Sequence, residues 1–243
     1  MKVLQGLQGL LQGGYQLHKA PPNHGGRQLA SKWAKTEALM SHPGIVPHIP
    51  PTRRYSPDQL RSMLDVHGMV VIKPIVGSGG SGVIKVTRTA QGYAYTLRDQ
   101  TNRFASFEAL AAALKGKTGR RNYLIQKGIA LATVNGRPID YRVKYVKTNG
   151  RWEYRSLVGR IARRGLFVTN LCQGGDMVLA GEGIRASFGP AHVKAKKHKL
   201  RELTVMCTRV LEQRFPGVTH LGFDYGIDKQ GRVWIFEVNT RPQ

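Results

Sequence analysis

Apolar positions change their period several times along the chain, and each change marks an element. Over 30–40 the pattern fits a short helix, and HPGIVPHIPPTRRYSP (42–57) then places five prolines in sixteen residues, which enforces an extended connector. Residues 56–64 read as a second short helix with Pro57 at its first position. The run MVVIK (69–73) predicts a buried strand that feeds PIVGSGGSG and a second strand, VIKVTR (83–88), with a third over 93–98. Phe107, Leu110, Ala111 and Leu114 fall at helical spacing behind Ser106 as N-cap, with Glu108 in the first turn. NYLIQ (122–126) is another strand, and strands over 141–148 and 151–160 flank Asn149-Gly150, a strong hairpin signal. Leu200, Leu203, Met206, Cys207, Val210, Leu211 and Phe215 trace an amphipathic helix, and two strands, 221–227 and 232–238, close around DKQG.

Composition narrows the class. The 243 residues suffice for one large domain or two lobes with a proper core, and 41% hydrophobic content is ordinary for a globular chain. Lys and Arg number 38 against 14 acidic residues, a net charge of +24, so an anionic substrate or partner is expected. Cys172 and Cys207 stand far apart, so neither a zinc site nor a disulfide framework has support, and a reducing compartment is the simple reading. No run approaches the roughly 20 apolar residues of a membrane span, and the glutamines of VLQGLQGLLQGG break any signal-peptide core, so a cytoplasmic protein is expected. Residues 1–30, rich in Gly, Gln and His, read as a flexible arm.

The final hairpin carries the most chemistry. Pairing across DKQG sets Asp224 opposite Ile235 and makes Asp224 and Glu237 diagonal neighbours, while period-2 alternation brings Asn239 to the same face. Two carboxylates and an amide oxygen suit Mg²⁺, although a solvated sheet face would look the same. Upstream, Lys73 ends an apolar strand beside Gly77-Ser78-Gly79-Gly80-Ser81-Gly82, whose backbone N–H groups can line phosphates. A GK[ST] ending is missing and a strand follows, so this is neither a P-loop nor a dinucleotide fingerprint. Alone, such a loop is more often a flexible hairpin connection, and the alternative for Lys73 is a snorkelling surface lysine.

The order VIKP, GSGGSG, LIQKGI, DYR, TNLCQGG, GFD and EVN resembles the ATP-grasp fold, and F-x-T-N-L-x-x-G-G is similar to its amino-acid-ligating branch. HPGIVPHIPPT, VIKPIVGSGGSGVIKV and IFEVNTRP resemble the YheC/YheD-like endospore coat-associated family, over about residues 30–243. The resemblance implies an α+β fold of two lobes clasping ATP between antiparallel sheets: 31–127 with the small lobe, and 128–243 with the metal site. A full N-terminal pre-ATP-grasp domain is not expected, the first 30 residues being too short for one.

Carried over by position, the resemblance gives Lys73 and the loop 77–82 to the phosphates. Gln126, Lys127 and Ile129 line the adenine and ribose pocket, with Asp140 facing the nucleotide. Arg142 and Arg160 steady the transferring phosphoryl group, and Thr169 and Asn170 complete the site. Asp224, Glu237 and Asn239 hold one or two magnesium ions, with manganese as a substitute, and Arg241 meets a substrate carboxylate. Arg160 raises a register problem, because ideal pairing across Asn149-Gly150 puts it opposite Ile139, on the face away from Arg142, unless a bulge intervenes.

The reaction implied is attack of a carboxylate on the γ-phosphate, then displacement of the acyl-phosphate by an amine. An acidic peptide or an anionic cell-envelope component are the substrate candidates. Two other readings are an idle ATP-binding protein of the spore coat, and a basic nucleic-acid binder using 194–201 (KAKKHKLR) with Arg53-Arg54, Arg120-Arg121 and Arg163-Arg164. No nucleic-acid reading module supports the last. The eight histidines show no metal spacing, His220 alone lying near Asp224, and Trp33, Trp152 and Trp234 read as packing residues.

Overall fold

The apolar run before Lys73 is unbroken because it forms a central strand, and the smaller sheet grows from it. In this computed structural model, which describes residues 26–77, 79–119, 121–167, 169 and 174–240, β2 (Met69–Pro74) lies between β3 (Ile84–Thr89) and β6 (Tyr123–Lys127). The sheet runs β1 (Thr52–Arg54), β6, β2, β3, β4 (Gly92–Leu97), β5 (Gln100–Phe104), with antiparallel neighbours throughout. One face is closed by α2 (Pro57–His67) and α3 (Phe107–Thr118), whose Leu60, Leu64, Leu110 and Leu114 pack on Ile72, Val86 and Ile125. Ser56 Oγ caps α2 at 3.2 Å from the Gln59 amide, and Gly68, at φ 67°, ends it in the left-handed region that favours glycine.

The larger sheet runs β10 (Asp176–Leu179), β9 (Arg151–Ile161), β8 (Arg137–Thr148), β11 (His220–Ile227), β12 (Val233–Asn239), with the short β7 (Thr133–Val134) on β8. Its strands alternate sharply. Tyr141, Val143, Leu221, Phe223, Tyr225, Ile235 and Val238 enter a core covered by α1 (Lys32–Met40), α4 (Ala180–Phe188) and α5 (Val193–Arg214). On α5 the apolar stripe is Leu200, Leu203, Cys207 and Leu211, all buried, and each leucine there contributes about 1.5–3 kcal/mol by leaving water. The intervening strand positions carry Asp140, Arg142, Asp224 and Glu237 to the opposite face.

Five elements were not expected: β1, which falls in the stretch read as a connector, β5, β7, β10 and α4. Strand β5 (QTNRF) is almost wholly exposed and shows no alternation, so only its pairing with β4 defines it. Helix α4 contains Gly181 and Gly183, poor helix formers. Gly183 is nevertheless required by packing, since a Cβ there would meet Ile139 Cδ1 at 2.5 Å. Conversely, α1 and the turn after it, early in the chain, pack Leu39, Ile45 and Ile49 into the larger sheet's core.

Candidate active site

Two bulges set the geometry of the polar face. Asp224 pairs with Glu237, and Tyr225 with Ile235, so Phe236 is the extra residue. This corrects the ideal register, which set Asp224 opposite Ile235: the bulge brings the two carboxylates directly across from each other rather than diagonally. On the neighbouring hairpin, Lys144 pairs with Ser156 and Tyr145 with Tyr154, leaving Arg155 as the extra residue. That bulge shifts Arg160 from Ile139 to Asp140, onto the face of Arg142, as the register argument required.

The resulting floor is a buried ion-pair network. Arg160 forks onto Asp140, with Nε at 2.8 Å from Oδ1 and Nη2 at 2.5 Å from Oδ2, and Nη2 also donates to Asp224 Oδ1 at 2.8 Å. Burial alone would lower the pKa of Arg160, but Asp224 and Asp140 more than offset it and hold the guanidinium charged. Thr169 bonds to Asp140 through its side chain. Arg142 Nε lies 2.6 Å from Asp224 Oδ1 as an ion pair, yet this buried N–H finds no acceptor in line and remains a donor for something else. Asn239 Nδ2 approaches Asp224 Oδ2 at 3.4 Å.

The roof belongs to the smaller sheet. Lys73, 8% exposed, donates to Gln126 Oε1 at 2.8 Å and reaches across to the carbonyl of Phe236 at 3.1 Å, while Gln126 donates in turn to Thr52 Oγ1 at 2.9 Å. Beside it the glycine loop takes left-handed conformations at Gly79, Gly80 and Gly82 (φ 66°, 73° and 71°), which favour glycine. Gly77, Gly79 and Ser81 are exposed. Lys127 lies 5.8 Å over the Trp234 ring, and Ile129 is half-buried just beyond it. Ser78, Asn170 and Arg241 lie outside the described residues.

Three groups in this cluster were missed by sequence reasoning. Lys32, from α1, lies 3.0 Å from Glu237 Oε1 and donates to the Gly77 carbonyl at 2.5 Å, tying floor to roof. Lys35, 3% exposed, donates to the Leu29 carbonyl at 2.7 Å. Phe236, placed on the bulge, lays its ring over Gly226, where any Cβ would collide with it. A signal for the lysines does exist: positions 32, 35 and 39 form one helical stripe, so two lysines stand where α1 should present apolar residues.

Charge in this cluster does not balance. Lys32, Lys35, Lys73, Arg142 and Arg160 stand against Asp140, Asp224 and Glu237, five cations to three carboxylates. Burial pushes Lys73 and Lys35 each down to about 8, against an opposing pull from Glu237 that raises both, while Lys32 adds a smaller lowering. Among the described residues no three His, Cys, Asp or Glu side chains cluster to hold a metal by themselves. The donor set is two carboxylates and an amide, and Glu237 already holds an ammonium as a stand-in cation, which fits a hard ion completed by phosphate oxygens and water.

A family model described as YheC/D-like ATP-grasp matches residues 24–243. Among curated proteins, the endospore coat-associated protein YheD of Bacillus subtilis (strain 168) is 28% identical over 87% of this chain and 48% of its own length. YheC of the same organism is 27% identical over 89% of this chain and 61% of its own. The chain thus spans about half to three-fifths of the curated relatives it matches. Among solved structures, carboxyaminoimidazole ribonucleotide synthase from Aspergillus clavatus, complexed with ATP, superposes with TM-score 0.58 at 16% identity, over 89% of this chain and 46% of that one. D-alanyl-alanine synthetase A from Vibrio cholerae gives TM-score 0.54 at 15% identity, over 88% and 55%. At such identities these likenesses show the fold, two antiparallel sheets in the ATP-grasp arrangement. Among the described residues no helix is long and apolar enough to cross a membrane.

Proposed function

The chain belongs to the YheC/D-like ATP-grasp family, and from that premise we propose that it is an ADP-forming carboxylate–amine ligase working on magnesium-ATP between its two sheets. The charge imbalance carries the reading. Five buried or half-buried cations against three carboxylates leave two positive charges without an anion, and magnesium-ATP carries about two negative charges at neutral pH.

In this reading the phosphates lie between Lys73 and the glycine loop, and the nucleoside extends past Gln126, Lys127 and Ile129 toward Phe236. Asp224, Glu237 and Asn239 hold the metal, which draws off charge developing on the phosphate oxygens. Arg142, whose Nε is without an acceptor, donates to the transferring phosphoryl group. Arg160 gives its Nε and Nη2 donors to Asp140 and Asp224, so it acts chiefly by fixing the floor. A substrate carboxylate oxygen attacks the γ-phosphorus and ADP leaves. An amine then attacks the acyl carbon, phosphate leaves, and the amine gives up a proton as the amide forms. Positioning and fixed charge suffice for such chemistry, so no protein nucleophile is needed. By analogy with its relatives, the setting is proposed to be the spore coat of a spore-forming bacterium.

The test is acid-dependent ADP release, with hydroxylamine present to trap the acyl-phosphate as a hydroxamate. A panel of acidic peptides, amino acids and cell-envelope fragments should contain at least one acid that stimulates both signals. ATP-dependent thermal stabilisation with neither signal, across the panel, would instead favour a nucleotide-binding protein without turnover.

A further inference from the structure

The nucleotide reading leaves the Arg53-Arg54 pair without a task, and strand register separates the two. Arg53 pairs with Ile125 and Ile125 with Ile72, which places it on the face covered by α2 and α3. Arg54 pairs with Leu124, and Leu124 pairs on its other side with Lys73. Laterally paired residues share a face, so Arg54 belongs to the face of Lys73, Gln126 and Thr52, two strands away at the sheet edge.

The surroundings of Arg54 suit an anion. The side chain is exposed, and its guanidinium carbon sits 5.3 Å from the centre of the Trp33 ring, next in sequence to Lys32. The indole Nε1 donates to Glu37 Oε1 at 3.2 Å, which holds the ring. Arg54 has no ion pair among the described residues. A guanidinium backed by an indole is restrained in plane while its N–H edge stays open, the geometry for bidentate binding of a carboxylate.

We propose that the Arg54–Trp33 pair is a subsite for a second carboxylate of the acid substrate, an assignment that rests on the ligase reading above. Two strand spacings put it about 10 Å from Lys73, and extended peptide covers about 10 Å in three residues. The substrate class is therefore an oligomeric acid, such as a short acidic peptide, with its reacting carboxylate at the phosphates and another about 10 Å away, within the span of three residues. A simple monocarboxylate would leave Arg54 unused.

The experiment is calorimetric titration of the full chain saturated with magnesium and a non-hydrolysable ATP analogue. N-acetyl-tri-glutamate is the probe and N-acetylglycine the single-carboxylate control. Arg54→Gln should weaken tri-glutamate about ten-fold, the size expected for losing one partly exposed charged hydrogen-bond pair, with the control and the analogue's own affinity unchanged. Arg54→Lys should recover part of the loss, and Trp33→Leu should fall between. The subsite is overturned if tri-glutamate fails to bind the loaded protein, binds Arg54→Gln equally well, or loses no more than the control. The analogue titration keeps the two claims apart, because nucleotide binding without tri-glutamate binding removes the subsite alone, whereas failure of the nucleotide removes the reading beneath it.

Discussion

Floor and roof of the site are built on opposite principles. On the larger sheet Arg160 is paired with Asp140 and Asp224 within 2.8 Å, so the charges at the centre of the floor are matched within the protein. On the smaller sheet the acceptors of Lys73 among the described residues are neutral, the Gln126 amide and the Phe236 carbonyl, and the adjoining loop is held in left-handed turns. A floor that pairs its own charges serves the fold and the chemistry together. A roof with uncompensated charge serves the ligand at the expense of the empty protein. The contrast predicts that floor substitutions damage stability first, and roof substitutions damage binding first.

The largest effect should come from the floor. Arg160→Met strands the buried Asp140 and takes one of two arginine partners from Asp224, and should cost about 3–5 kcal/mol of stability, read from urea unfolding of the nucleotide-free protein. An unchanged midpoint would show that the network is ornamental. Lys73→Met should do the reverse, losing about 100-fold in magnesium-ATP affinity, as for one buried charged contact. The unfolding midpoint of the empty protein should hold or rise, because a desolvated ammonium has gone.

Next in size is a pH effect belonging to the roof and to α1. Burial lowers Lys73 and Lys35 to about 8 from an ordinary 10.5, so their charged forms are disfavoured by folding. The empty protein therefore gains stability as pH rises from about 8 toward 10.5. Bound anions favour the ammonium and raise these values, so nucleotide affinity should be full below pH 8 and decline above it, by up to about ten-fold per pH unit for one linked proton. Lys73→Met should flatten that decline. Smallest of all, Gly80→Ala forces a side chain to φ 73° and should cost about 1–2 kcal/mol, seen as weaker nucleotide binding with the floor's unfolding transition intact.

The same contrast governs what could be read from the sequence. Local rules sufficed for the roof, since an apolar strand ending in Lys73 followed by Gly77, Gly79, Gly80 and Gly82 is a contiguous pattern. Parity sufficed to bring Asp224, Glu237 and Asn239 to one face, but not to set their register, because the bulge at Phe236 follows from packing over Gly226 that no local pattern records. Arg160 exposed the opposite bulge through a parity conflict, which located a distortion before any coordinates. Lys32 escaped because its partner Glu237 is remote in sequence, and a helical lysine reads as solvated until the helix is known to bury that stripe.

The account's central claim is that floor and roof together hold nucleotide and metal as one unit. Equilibrium binding of ATP with and without magnesium, on the wild-type chain and on Glu237→Gln, tests it most directly. The account predicts tight, magnesium-dependent binding to the wild type, and weak binding with the magnesium dependence lost in a variant that keeps its folded circular-dichroism spectrum. Binding that ignores magnesium in the wild type, or is equally magnesium-dependent in Glu237→Gln, would contradict it.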